Sequence, residues 1–473
     1  MINTDTKRIF ESYANNLIDE YHIPGTSIGI NKDGERLYYK GFGYRDAEKG
    51  LLVNADSVFG IASVTKSFTC IAIMQLQEAG KLSIHDKVVS YLPEFHTKDL
   101  EKTEQITIHH FMTNSSGLPP LPSLLYANKR SMEIDPSTND YMGLDIENDL
   151  EHEPIDTYED LMKFIAELDV VLLGPPGKHF SYSNEAFSLL GATIERVSGL
   201  KYEDYIKQFI LQPIGMVNSS FYINDLANLD NVTMLYAQKE TTEEPYVYPA
   251  PVWWDAPSMR PAGYLKSSVN DMLKYADIFR NKGVVQGKRI LSEESVKQMT
   301  YPYIEAEPGK YYGYGLIITP DYYGHTLIQH SGNLKAIASL MTIIPELGIT
   351  GMVLTNLADV PASTILMGAL NVYQGKNPDA SHITFTDYEM TKENLKKYVG
   401  DYSSHEGELL TIGMDDNQLT FKTDGKFYPI KCVGEHLFLV DIKDQQEVLR
   451  FIVDDSGEVD RIAYHFRQFP RER

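Results

Sequence analysis

The chain has 473 residues, 42% of them hydrophobic and 23% charged, with a formal net charge of −23. That length and balance exclude a disordered chain and predict two or three packed domains with a large core. A surface this acidic repels phosphate backbones and anionic membranes, so nucleic acid and membrane are not expected partners.

The first 25 residues have no uninterrupted apolar run, because Glu11, Asp19 and Glu20 interrupt it, and no secretory leader is expected. No stretch approaches the roughly 20 apolar residues that a spanning helix requires. A soluble, cytoplasmic protein is the expectation. Thr4–Tyr21 carries apolar residues at helical spacing and stops at Pro24-Gly25. A hairpin follows, Thr26–Asn31 and Glu35–Gly43 about a Lys32-Asp33-Gly34 turn. Asp56–Ser63 leads into a helix over Val64–Gln77, closed by Gly80. Cys70 sits inside that helix as a buried, inert thiol, and Cys432 is too distant in sequence to suggest a disulfide framework or zinc site.

Between Ser123 and Asp160 the composition shifts, and Glu133–Asp160 holds no Lys or Arg. This segment reads either as a solvated insertion or as a lid bringing Glu147, Asp149 and Glu151 to a substrate ammonium. Helical patterns return at Tyr158–Leu168, Asn184–Ser198, Tyr202–Leu211 and Ser267–Lys282, then strand-like runs at Tyr314–Ile318, Ile337–Ile344 and Thr350–Thr355. Strands at both ends of this part predict an α+β fold: an antiparallel sheet flanked by helices plus an all-helical subdomain. Beyond Asp387, short β runs (Glu408–Gly413, Gln418–Lys422, Tyr428–Val433, Leu437–Ile442, Glu447–Val453, Val459–Phe466) alternate with turn residues, predicting a small C-terminal β-barrel. The expected domains are residues 1–380, with the helical subdomain and acidic insertion within about 80–260, and residues 388–473.

Three short patterns can carry chemistry: Ser63-Val64-Thr65-Lys66, Tyr182-Ser183-Asn184 and His330-Ser331-Gly332-Asn333. Singly they are weak. S-x-x-K recurs at Ser198–Lys201, Y-x-N at Tyr13, Tyr126 and Tyr222, and H-x-G at His405–Gly407. Ser63 and Lys66 stand one helical turn apart on one face, and the helix dipole favours a nucleophilic hydroxyl there. A desolvated Lys66 could accept its proton; the same pair could equally be an N-cap and a surface lysine.

The context separates these readings. Phe59–Phe68 resembles the nucleophile segment of the serine β-lactamase and penicillin-binding-protein superfamily, and specifically its class C β-lactamase, D-aminopeptidase and esterase branch. Thr113–Leu118, Gly177–Asn184, Pro261–Leu265 with Ser267-Ser268, Tyr312–Gly315 and His330–Asn333 resemble that branch's further segments in the same order, over residues 10–360. The resemblance implies a β-lactamase/transpeptidase-like fold with catalytic Ser63, Lys66 and Tyr182, in which Tyr182, as phenolate or through a proton shared with Lys66, is the general base for Ser63 and the acid for the leaving group. It implies Asn184, His330, Gly332 and Asn333 as substrate-binding residues, and the backbone N–H groups of Ser63 and Asn333 as the oxyanion hole. His330–Asn333 should form an edge strand facing the nucleophile. The family's β-lactamases usually carry Lys at the position of His330, so a carboxylate-bearing β-lactam loses its fixed cation here. Tyr398–Tyr402 and the following runs resemble the lipocalin-like domain of some relatives, a module for ligand binding or for packing and oligomerisation.

The implied activity is acyl-serine hydrolysis of short peptides or D-amino-acid amides. A carboxylesterase on small esters, or a β-lactam-acylated penicillin-binding protein with little turnover, uses the same residues. No cofactor or metal is implied. The partner is a small-molecule or short-peptide substrate, with a homo-oligomer left open.

Overall fold

Strands from both ends of the first 360 residues meet in one sheet. The computed structural model describes residues 4–142, 152–168, 170–239, 245–415, 418–423, 425–442 and 445–472; the acidic Glu147, Asp149 and Glu151 lie outside them. The sheet has nine strands: β1 (Gly25–Lys32), β2 (Glu35–Asp46), β3 (Leu51–Leu52), β4 (Ile304–Glu307), β5 (Lys310–Tyr312), β6 (Ile317–Tyr322), β7 (His325–Leu334), β8 (Ile337–Ile344) and β9 (Ile349–Thr355). Their order is β4-β5-β6-β7-β8-β9-β1-β2-β3, antiparallel throughout.

Every residue of β8 and β9 is buried, because helices cover both faces. Along β9, Ile349 and Val353 join one apolar cluster with the buried residues of α1 (Thr4–Glu20), while Met352 and Leu354 join the other. That alternation is the two-residue period of a strand. The second cluster holds α2 (Thr65–Glu78), α3 (Ser123–Ile134), α4 (Tyr158–Glu167), α5 (Asn184–Ser198) and α6 (Val269–Arg280). On the opposite face α7 (Ala362–Tyr373) packs beside α1. The α+β architecture expected from the sequence is the one observed.

One expectation needs correction. β7 is an interior strand of the sheet, flanked by β6 and β8. Its pairing with β6, however, runs only as far as Gln329, opposite Ile317. From His330 onward β7 keeps β8 on one side, with Ser331 opposite Leu340 and Gly332 opposite Ser339. The short β6 therefore gives an interior strand a local open edge.

The C-terminal strands are β10 (Gly400–Ser403), β11 (Leu409–Asp415), β12 (Gln418–Thr423), β13 (Lys426–Gly434), β14 (Leu437–Ile442), β15 (Gln445–Val453), β16 (Val459–Tyr464) and β17 (Arg467–Pro470). They form an eight-stranded meander around Tyr398, Tyr402, Phe421, Phe438 and Phe451. The Tyr402–Arg471 bridge and the Glu472 N–H bond to Asp401 O bring the first and last strands together, nearly closing the barrel. The sequence runs coincide with the six central strands, but Val459–Phe466 is not one strand. The chain reverses at His465-Phe466, with φ of 47° and 64°, and β17 returns beside β16. No Gly or Asn marks this turn, so sequence chemistry could not reveal it.

Candidate active site

Ser63 is the middle residue of a short 3-10 turn, Ala62–Val64, immediately before α2. Ala62 holds φ at 44°, a left-handed conformation unusual for a residue with a Cβ. β7 passes close behind this turn. A Cβ on Gly332 would lie 2.4 Å from Ile61 O and 2.9 Å from Ala62 Cβ, so only glycine permits this approach. Ser339 of β8 reinforces the contact by donating to Ile61 O at 2.9 Å.

Lys66 is completely buried. Its Nζ lies 3.1 Å from Ser63 Oγ and donates to Asn184 Oδ1 at 2.8 Å and Ala262 O at 2.7 Å. All three partners are neutral oxygens. Burial drives the Lys66 pKa well below its ordinary value, and the Arg467 charge adds to the effect. A lysine so placed can take a proton from a neighbouring hydroxyl.

Tyr182 lies against the same group, its ring centre 4.7 Å from Lys66 Nζ. Burial pushes its phenol up to about 12, although interaction with Ser63 and the charge of Arg467 pull the other way. The phenol is therefore neutral at physiological pH. The extended segment around it is pinned on two sides. Ser181 N–H bonds Asn114 O at 2.8 Å and Ser183 N–H bonds Asn114 Oδ1 at 3.0 Å. Tyr182 N–H instead bonds Phe466 O of the barrel at 3.0 Å. Ser183, not Asn184, caps α5 by accepting from Ala186 N–H, which leaves the Asn184 carboxamide for Lys66.

His330 is 2% exposed and borders the cavity, but both ring nitrogens are engaged within the protein. Nδ1 donates to Ser331 O at 2.6 Å, so Nε2 accepts from Tyr312 OH at 3.0 Å. Burial and the nearby Lys66 push the imidazole down to about 3, keeping it neutral. The Asn333 side chain turns to Asp359 Oδ1, 2.6 Å away, leaving its main chain on the open stretch of β7.

Ser63, Tyr182, Asn184, His330 and Asn333 thus border one cavity of about 750 Å³. Its other wall is the barrel: Glu406, Glu408, Glu447, His465, Phe466 and Arg467 line it, with Glu307 and Lys310 from the sheet edge. None of these stood out in the sequence. The alternative S-x-x-K is structural, with Gly199 at φ 75° ending α5 and Ser198 Oγ accepting from Leu200 N–H. Among the described residues, no group of three or more His, Cys, Asp or Glu could hold a metal ion.

The chain is similar to known proteins in sequence and in fold. The family model described as Beta-lactamase matches residues 10–371. Protein flp of Staphylococcus aureus (strain MRSA252) is 27% identical over 359 residues, 75% of this chain and 64% of that protein. The chain therefore spans only 64% of the length of that curated relative. Penicillin-binding protein 4* of Bacillus subtilis (strain 168) is 24% identical over 421 residues, 86% of this chain and 85% of that one. Among solved structures, the octameric penicillin-binding protein homologue from Pyrococcus abyssi is 31% identical with a TM-score of 0.69, covering 97% of this chain and 98% of its own. SurE, 19% identical, shares the fold with a TM-score of 0.71 over 99% of both chains. The chain belongs to the beta-lactamase family, within the superfamily that includes the penicillin-binding proteins.

Proposed function

We propose that this protein is a serine hydrolase that forms an acyl-enzyme on Ser63. The observation carrying the proposal is the buried Lys66 ammonium site, 3.1 Å from Ser63 Oγ and bonded only to neutral oxygens. Neutral Lys66 takes the Ser63 proton as Oγ attacks the acyl carbon. The oxyanion is held by the N–H groups of Ser63 and Asn333, a donor pair worth about 3–4 kcal/mol each in comparable sites. Tyr182, protonated because its pKa stands near 12, gives its proton to the leaving group and recovers one from Lys66. Water then enters with Lys66 again as base, and Ser63 is regenerated.

The substrates proposed first are short peptides or D-amino-acid amides; a cavity of about 750 Å³ suits molecules of that size. Small esters are the second reading. The neutral, internally bonded His330 offers β-lactam carboxylates no cation from β7, which weighs against a dedicated β-lactamase. A homo-oligomer is also proposed, because the 31% identical homologue is octameric. Among the described residues no helix is long and apolar enough to cross a membrane.

Parallel turnover of D-alanyl amides and short-chain p-nitrophenyl esters tests the reading. Amide cleavage that disappears in Ser63→Ala is expected. Ester cleavage alone would replace the peptidase with an esterase, and a persistent penicillin adduct on Ser63 without turnover would replace both with a penicillin-binding protein.

A further inference from the structure

The β16–β17 turn is unusual in sequence and in location. Two-residue hairpin turns with positive φ at both positions select Asn-Gly or similar pairs. Here His465 and Phe466 occupy them, at φ 47° and 64°. Backbone held in such conformations persists where its surroundings over-determine it and tends to mark working sites. These surroundings are the tyrosine of the proposed hydrolytic site.

Both main-chain polar groups of Tyr182 bond to this turn or to the first residue of β17 after it. Its N–H donates to Phe466 O at 3.0 Å, and its carbonyl accepts from Arg467 Nη1 at 3.2 Å. The Arg467 guanidinium carbon also stands 5.0 Å from the centre of the Tyr182 ring, while Lys66 Nζ stands 4.7 Å from it. Glu406 steadies the guanidinium, accepting from Nε at 3.1 Å. The next residue, Gln468, donates to Phe180 O. The barrel thus serves as the hydrogen-bonding partner of the Phe180–Tyr182 segment.

We propose that Arg467 is a positioning residue for the acyl-transfer site, fixing Tyr182 through its carbonyl and ring and setting a second cation beside Lys66, so that the barrel is a working part of the hydrolase. The inference rests on the hydrolase reading and extends it to a residue outside the family-matched segment, which ends at 371. β7 carries a neutral histidine in this cleft, and the barrel brings a permanent cation to it.

Groups facing Tyr182 set the expected pH behaviour. They are Lys66 on α2, Tyr312 on β5, His330 on β7 and Arg467 from the barrel; Glu185 on α5 acts on Lys66 and Arg467, and Glu406 on Arg467. The Arg467 charge lowers the pKa of both Lys66 and Tyr182. Its removal therefore moves the rising limb of activity towards alkali. A substrate carboxylate bound by Arg467 would instead show as a higher KM for anionic substrates alone.

The test is the kcat and KM profile of the full-length protein against pH, using an uncharged p-nitrophenyl ester. Arg467→Gln should lower kcat about tenfold, leave KM near the wild-type value and move the rising limb up by about 0.5–1 pH unit. Arg467→Lys should return the limb towards its wild-type position. Glu406→Gln, which removes the opposing carboxylate, should move it towards acid. An equal loss of kcat at every pH with no movement of the limb, or limbs of Arg467→Gln and Glu406→Gln moving in the same direction, would overturn the positioning role. Absence of Ser63-dependent turnover in the wild type would instead overturn the hydrolase reading itself.

Discussion

The cavity's two walls treat charge in opposite ways. On the wall built from α2, α5 and β7, Lys66 is sealed from solvent and bonded to Ser63, Asn184 and Ala262 oxygens. On the barrel wall and the adjoining sheet edge, Arg467 is paired with Glu406, His465 with Glu447, and Lys310 with Glu307. Desolvation makes an unpaired ammonium give up its proton, whereas pairing holds a charge and fixes its geometry. One wall is therefore suited to moving a proton, and the other to holding a shape.

Lys66→Met breaks the first half of this contrast. Nucleophilic attack by Ser63 should slow about 10²–10⁴-fold, the usual contribution of a positioned base, measured as the rate of its phosphonylation by a fluorophosphonate. Unfolding free energy should hold steady or rise, because no buried carboxylate is left unpaired. Asp135→Ala is the converse. Asp135 accepts from the buried Lys335 at 2.8 Å and from Trp254 Nε1 at 2.7 Å, tying the end of α3 to the residue after β7. Its loss strands a buried lysine and should cost about 3–5 kcal/mol in urea denaturation. Burial raises the Asp135 pKa, but the Lys335 and Ser137 bonds outweigh it and the net shift is downward. This stabilisation is therefore present above the unfolded carboxyl pKa of about 3.9 and lost as pH falls through the lower folded value.

Gly332→Ala tests how closely the proton-moving wall is assembled. The added methyl meets Ile61 O at 2.4 Å and Ser339 Oγ at 2.6 Å, so β7 must retreat from the nucleophile turn. A stability loss of about 1–3 kcal/mol is expected, with slower Ser63 acylation in the same preparation. The smallest effect belongs to the holding wall. Glu447 raises the His465 pKa against the opposing effect of burial, so their pair stabilises below an unfolded pKa of about 6.5 and fades as pH rises through the folded value. With His465 56% exposed, Glu447→Gln should cost no more than about 1 kcal/mol at pH 5.5 and still less at pH 8.5, read from thermal melts at both.

The same two walls differ in how far the sequence disclosed them. Ser63, Lys66, Tyr182, Asn184 and His330 were legible because each sits in a short pattern whose order along the chain is distinctive. The α+β sheet was legible because Ile337–Ile344 and Thr350–Thr355 are dense in apolar residues. What His330 does was not: whether its nitrogens face a ligand or Tyr312 and Ser331 depends on contacts that no local pattern encodes. Arg467 was hidden for two reasons. It lies 285 residues from Tyr182, and the turn that delivers it uses His-Phe where a readable hairpin would use Asn-Gly. The β run read over Val459–Phe466 ends in an aromatic residue and gave no cause to break it at Tyr464.

The central claim, that Lys66 activates Ser63, is tested most directly by labelling the nucleophile with a fluorophosphonate, whose phosphorus takes the Ser63 oxygen as fluoride leaves, and mapping the phosphonyl adduct by peptide mass spectrometry. The account predicts one adduct, on the peptide containing Ser63, absent in Ser63→Ala and forming at a greatly reduced rate in Lys66→Met. An undiminished labelling rate in Lys66→Met, labelling retained in Ser63→Ala, or an adduct mapped to any other residue would contradict it.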